Sequence, residues 1–253
     1  MASLKRFPLF LLLPPVLGLS LLVGFRMHHQ EDFTARTPFA PFMVHQQKLY
    51  FPKQQDIPPA VGDRVFAIKA NGSMALRLRE LEGDSGGVTA VLDRSNGYVL
   101  DIDHDTRSVS SLQTTATTFA EWLSSLHPGC ATLEKRGQGI PDGPRELLGI
   151  PVKGLREKLK DGTYERLVAP EIDCFPLREI FFFSNGARNE TSTTSVKIGG
   201  PDEALFAVPS DYVERSPVEV ETLYEQKHGG RQKWPPKVLE DVQARYLRLR
   251  KQR

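Results

Sequence analysis

The densest grouping of residues that could do chemistry is Asp101, Asp103, His104 and Asp105. Carboxylates and imidazoles ligate divalent cations. Along a strand, however, successive side chains alternate sides, so Asp101 and Asp103 share a face and His104 turns away. The spacing reads as a solvated strand edge and turn, and no metal is assigned to it. His28 and His29 read as a wet pair in a linker. The glycine-bearing loops at Ser85-Gly86-Gly87 and between Gly137 and Gly143 lack the spacing and the lysine of a phosphate cradle. No nucleophile, base and orienting group stand at recognisable spacing. No catalytic residue is assigned, and no cofactor is implied.

Cys130 and Cys174 are the two cysteines of the chain. That count excludes a disulfide-rich scaffold and a four-cysteine zinc site. In an oxidising compartment the two are expected to pair. The bridge would close a loop of about 44 residues and stabilise by roughly 3–4 kcal/mol in the chain-entropy description. Two buried free thiols, or a pair too far apart to bridge, are the alternatives.

The elements that must position these residues are carried by 253 residues with a formal net charge of +2. The near-neutral balance gives no reason to expect nucleic acid as a partner. Hydrophobic residues at 40% and charged residues at 25% are in the globular range, which allows one self-sufficient core. Lys5 and Arg6 precede an uninterrupted apolar run from Phe7 to Phe25. Basic residues before an apolar stretch direct translocation, and the run is near the ~20 residues a membrane helix needs. Residues 1–26 therefore read as a signal-anchor or a cleaved signal peptide. The positive flank predicts a cytoplasmic N-terminus with the bulk outside, that is, inner membrane with the domain in the periplasm, or fully exported after cleavage.

Residues 27–60 hold Pro38, Pro41, Pro52, Pro58 and Pro59 and read as an extended linker or wrapping arm. Strand signals begin at Arg64. Val65 to Ile68 is followed by Asn71-Gly72, a two-residue hairpin signal. Met74, Leu76 and Leu78 alternate with Arg77 and Arg79, the period of a half-buried strand. Val88–Leu92, Tyr98–Ile102 and Val109–Leu112 extend an antiparallel meander. Phe119, Trp122, Leu123 and Leu126 then fall at helical spacing, predicting a short covering helix over 118–126. A second β region runs from Arg145 to Phe206, with strands expected at 147–155, 164–168, 174–183 and 191–198. The tail from Trp234 reads as a basic amphipathic helix, with Val238, Leu239, Val242, Tyr246 and Leu247 as its apolar stripe. It is expected to dock on the domain, with anionic lipid as the alternative contact. The β domain is placed at 61–215 and a C-terminal extension at 216–253. The class is α+β, β-dominated.

Two segments of the second β region carry a family resemblance. Val168-Ala169-Pro170-Glu171-Ile172-Asp173-Cys174-Phe175-Pro176-Leu177 is similar to a W-x-A-P-E-L-x-C-x-x-L segment. Gly200-Pro201-Asp202-Glu203-Ala204-Leu205-Phe206-Ala207-Val208-Pro209-Ser210-Asp211-Tyr212 resembles G-x-P-D-x-x-L-F-x-V-P-x-G-Y. Together they resemble a family of uncharacterised exported bacterial proteins that is distantly similar to the lipoprotein-carrier (LolA-like) half-barrels. Leu167 stands where that family has tryptophan, and Asp211 where glycine is common. The resemblance implies a curved antiparallel sheet around a helical plug, with an apolar cavity that binds a lipid-like ligand without catalysis. Phe66, Met74, Leu76, Tyr98, Leu100, Trp122, Phe181 and Phe183 are the residues expected to face such a cavity. A structural or protein-interaction module of the envelope with a filled core is the second reading, and an envelope hydrolase the third.

Overall fold

The computed structural model describes residues 39–53, 60–80, 86–113, 127, 129–140, 143–230 and 232–250. The expected membrane-targeting segment at 1–26 and the expected covering helix at 118–126, with Trp122, lie outside them. Among the described residues no helix is long and apolar enough to cross a membrane.

The strands are β1 (Phe42–Phe51), β2 (Ala60–Ile68), β3 (Met74–Glu80), β4 (Val88–Asp93), β5 (Tyr98–Asp103) and β6 (Ser108–Gln113). After them come β7 (Gln138–Gly139), β8 (Glu146–Leu147), β9 (Ile150–Pro151), β10 (Lys153–Leu159), β11 (Gly162–Ala169), β12 (Phe175–Phe183), β13 (Arg188–Ile198) and β14 (Val213–Glu214). The helices among the described residues are α1 (Cys130–Arg136), α2 (Pro217–Lys227) and α3 (Pro236–Arg250). Strands β8 and β9 form a separate hairpin; the other twelve make one sheet in the order β14-β6-β5-β4-β3-β2-β1-β13-β12-β11-β10-β7. The sheet is curved and unclosed, and the architecture is α+β and strand-dominated. Its pairings are antiparallel apart from β14 on β6.

The expected linker at 27–60 is corrected in its described part. Residues Phe42–Phe51 form a ten-residue strand between β2 and β13. Its alternation was obscured because the inner-facing set, Phe42, Val44, Gln46 and Lys48, is apolar for only two positions. Flanking prolines at 41 and 52 delimit the strand rather than dissolve it. The single strand expected over 147–155 is also corrected. Leu148 and Gly149 both have positive φ, at 54° and 76°, and make a tight turn between β8 and β9. Pro151 lacks the N–H needed to continue a ladder, so pairing resumes only at Lys153.

The Asn71-Gly72 hairpin has a longer loop than a two-residue turn. Gly72 N–H donates to Lys69 O and Lys69 N–H to Ser73 O, while the Asn71 side chain accepts from Ser73 N–H. Asn71 thus spends its side chain on the backbone and only Gly72 takes the positive φ. Asn185-Gly186 repeats the same bonding between Phe183 and Ala187.

Pairing register sorts side chains onto two sides. Phe42, Val44, Phe66, Ile68, Met74, Leu76, Leu92 and Val99 share the inner face and are buried with Phe175 and Leu177. On the outer face Ala75, Val91, Ile102 and Val109 are covered by Leu205, Phe206 and Tyr212. The 3-10 turn Glu203–Phe206 that delivers this cover is capped by the Asp202 side chain, which accepts from Ala204 N–H. Val208, just beyond this turn, is 37% exposed.

Asp101 and Asp103 share the inner face as the alternation required, yet the solvated edge expected there is corrected: Asp103 is 2% exposed. The C-terminal segment lies over it, and Lys233 Nζ donates to Asp103 Oδ2. Burial pushes the Asp101 carboxyl up, against the pull of Lys233, whereas Lys233 and Thr106 hold Asp103 down despite its burial. Trp234 and Tyr246 are buried, while Leu247, assigned to the apolar stripe, is 48% exposed. Helix α3 docks against α2 and β6. Helix α2 was not anticipated; it starts with a capping box between Ser216 and Glu219.

Two outcomes follow. Replacing both cysteines with alanine lowers unfolding free energy in urea by about 4 kcal/mol for the loop that the 44-residue bridge closes. Lys233→Met strands a buried carboxylate and costs about 3 kcal/mol. Limited trypsin digestion of that variant should then release the C-terminal helices ahead of the sheet; digestion at the wild-type rate would refute the anchoring role of this pair.

Candidate functional site

The inner face changes character toward the lower ends of β1 and β2. Beyond Val44 and Phe66, register places Gln46, Lys48 and Arg64 on that side, with Thr191 and Thr193 on β13, Glu179 on β12 and Arg166 on β11. Gln46 is 2% exposed, and its Nε2 donates to Pro176 O and Thr193 Oγ1. Arg166 bridges two carboxylates, donating from Nε to Glu179 at 3.1 Å and from Nη1 to Glu157 at 2.7 Å. Burial works against its charge, but the two carboxylates outweigh it and raise its pKa.

Lys48 and Arg64 stand diagonally across the β1–β2 ladder on the same face. Burial lowers the Lys48 ammonium to about 8; neighbouring Arg64 adds to the fall and Glu179 opposes it. Burial also lowers the Arg64 guanidinium, again against Glu179. Arg64 Nε is shielded from water and has no hydrogen-bond partner among the described residues.

Beside this polar row stands an aromatic shelf. Tyr164 on β11 pairs across to Phe181 on β12, with ring centroids 4.5 Å apart. Phe183 meets Phe181 edge-on at 4.5 Å. All three are half-buried. Arg166 lies over the Tyr164 ring at 4.0 Å. Gly162 permits the arrangement: a Cβ there would stand 2.8 Å from Phe181 Cζ and 2.1 Å from Phe182 O.

The residues expected to face a cavity are thereby divided. Phe66, Met74 and Leu76 lie on the inner face at 0%, 1% and 2% exposure, packed into the core. Phe181 and Phe183 lie on the inner face of the other meander and retain exposed surface. Tyr98 and Leu100 are on the outer face, opposite Asp93 and Val91, and Leu100 packs on the outer cluster.

One residue escaped sequence reasoning. His127 is 4% exposed and ringed by Phe42, Phe66 and Phe175, with centroids at 5.8, 6.4 and 5.8 Å. Its Nε2 lies 3.6 Å from Asp173 Oδ2, and its Nδ1 has no partner among the described residues. The Cys130–Cys174 disulfide, now observed, places these groups together, and Asp173 Oδ1 accepts from Cys130 N–H. The available signal was adjacency: His127 precedes one cysteine and Asp173 the other. A disulfide fits an exported protein. Among the described residues no group of three His, Cys, Asp or Glu side chains could hold a metal ion.

No family model matches the chain. No curated protein matches it either. Among solved structures, the chain is similar to a conserved protein of Thermus thermophilus at 13% identity and a TM-score of 0.39, over 73% of this chain and 94% of that one. It is also similar to PNGF-II at 13% identity and a TM-score of 0.39, over 74% of this chain and 34% of that one. A LolA superfamily protein of Nitrosomonas europaea is similar at 11% identity and a TM-score of 0.33, over 69% of this chain and 93% of that one.

Burial pushes the His127 imidazole below its ordinary value, with Asp173 opposing. The unfolded chain therefore binds a proton more readily, and stability falls as pH drops below the unfolded value of about 6.5. His104, also lowered by burial, contributes in the same direction. Urea midpoints measured from pH 7.5 to 5 should decline for the wild type and decline less for His127→Phe. Equal slopes would show that His127 is not neutral in the folded state.

Proposed function

We propose that this is an exported envelope protein, held at the membrane by its N-terminal segment, that binds an apolar or lipid-like ligand without chemical turnover. The observation that carries the reading is the aromatic shelf of Tyr164, Phe181 and Phe183. It lies on the inner face of an unclosed sheet and retains solvent exposure where the other half of the same face is sealed. Aromatic surface on a curved sheet, bordered by a few polar groups, is the composition of a ligand site. The sealed half favours a second reading. Phe66, Met74 and Leu76 fill the space a deep acyl pocket would occupy, so a protein partner on the shelf is the alternative.

Photo-crosslinking separates the two. Full-length protein in its own membranes, labelled with a diazirine analogue of palmitate, should carry the label on peptides around Tyr164 and Phe181–Phe183. Phe181→Asp should cut labelling about tenfold, the cost of placing a charge against an acyl chain. Labelling confined to the N-terminal segment, and unchanged in the variant, would leave the protein-partner reading in possession of the shelf.

A further inference from the structure

We propose that the lower rim of the sheet, where the β10–β11 and β12–β13 turns stand beside the end of β1, docks on an anionic bilayer surface. Leu159 and Phe182 enter the headgroup region, and Lys53, Lys158 and Lys160 lie against lipid phosphates. The inference goes beyond the ligand reading and does not require it.

Three neighbouring pieces of chain make the rim. Strands β1, β13, β12, β11 and β10 are consecutive in the sheet. At about 4.8 Å between strands, their ends span about 19 Å. Ser184 N–H donates to Asp161 O at 3.0 Å and ties the two turns together. A Cβ on Gly186 would stand 3.9 Å from Lys53 Cγ, which places Lys53 against the β12–β13 turn. Leu159 is 45% exposed and Phe182 39%. Leu159 pairs with Gly162, and Phe182 with Thr163, so the two side chains lie on opposite faces of the sheet at the same end. A flat protein surface laid on either face would cover one of them. A bilayer receives the rim end-on and covers both.

Charge on these strands changes from paired to unpaired toward the rim. Higher up, Arg156 pairs with Glu165, Arg166 with Glu157 and Glu179, and Arg178 with Glu190. At the rim Lys53, Lys158 and Lys160 are exposed, and none of the three has an ion pair among the described residues. Arg188 adds a fourth cation, lying over the Phe51 ring at 4.1 Å and 3.9 Å from Glu190. Asp161 is the acid of the two turns. The whole chain has a net charge of only +2, so the positive field belongs to this end and not to the molecule at large. Basic side chains are drawn to an anionic leaflet, and apolar side chains at the same level enter the boundary between headgroups and acyl chains. Phe183 pairs with Gly162 and brings the aromatic shelf to the same rim, so docking sets the open end of the shelf against lipid.

The test is tryptophan quenching on the full-length protein, reconstituted into vesicles of phosphatidylcholine with brominated acyl chains, with or without phosphatidylglycerol. Leu159→Trp and Phe182→Trp report from the rim, and Val208→Trp reports from an exposed position away from it. The wild-type signal is subtracted from each. Both rim tryptophans should be quenched on the vesicles that contain phosphatidylglycerol and much less on phosphatidylcholine alone, while Val208→Trp should be quenched on neither. Lys53→Gln, Lys158→Gln and Lys160→Gln together should weaken docking about a hundredfold, near fivefold for each lysine, and remove the rim quenching. Rim tryptophans left unquenched on the anionic vesicles would overturn the proposal and leave an envelope protein as the occupant. Quenching that survives the three lysine substitutions, or that Val208→Trp shares, would overturn it as well. Palmitate labelling of the shelf is read separately, so either result can fail while the other stands.

Discussion

The pairing of β1 with β13 is the constraint on which the molecule depends. It joins two antiparallel meanders, β1 to β6 on one side and β13 back to β10 on the other, into one surface. The ladder runs from Phe42 opposite Ile198 to Phe51 opposite Arg188. It includes a bulge near His45 and Gln46, which shifts register by one residue and increases local twist. Because of that shift, Thr193 and Thr191 rather than their neighbours join Gln46 and Lys48 on the inner face. The core and the polar row are consequences of one seam.

Around the seam the inner face is divided by chemistry. Phe42, Val44, Phe66 and Phe175 make a dry half that closes over His127, and Lys48, Arg64, Glu179 and Arg166 make a charged half beside half-exposed rings. The dry half supplies stability through apolar burial. The charged half costs solvation and is held by the Arg166 bridge and by hydroxyls on β13. The disulfide ties the dry half to α1, and the Lys233–Asp103 pair ties the C-terminal helices to the far end of the sheet. Each end of the curved sheet is thus fixed by a specific bond, while the middle is fixed by packing.

Much of this was legible in the residues. Period-two alternation at Met74–Leu78 and the glycine turns located the first meander, and the lone pair of cysteines located the bridge. Other features were hidden for physical reasons. Strand β1 carries polar residues on its inner face and so shows little alternation. The Leu148-Gly149 turn needs a leucine at positive φ, which no propensity announces. The role of Asp103 depends on Lys233, 130 residues away in sequence, and no local pattern reports a partner so distant. Helix α2, by contrast, was signalled by Ser216-Pro217 and Glu219, a capping box placed beside a proline at the first helical position.

The same seam sets an order of events during biosynthesis. Strand β1 leaves the ribosome early and can zip with β2 at once, but its other edge has no partner until residues 188–198 have been made. For the time needed to synthesise that intervening chain, at roughly 5–20 residues per second, a ten-residue strand offers a bare row of amides and carbonyls to any neighbour. A nascent chain with this topology is a natural client for a holding chaperone, whatever its finished form goes on to bind.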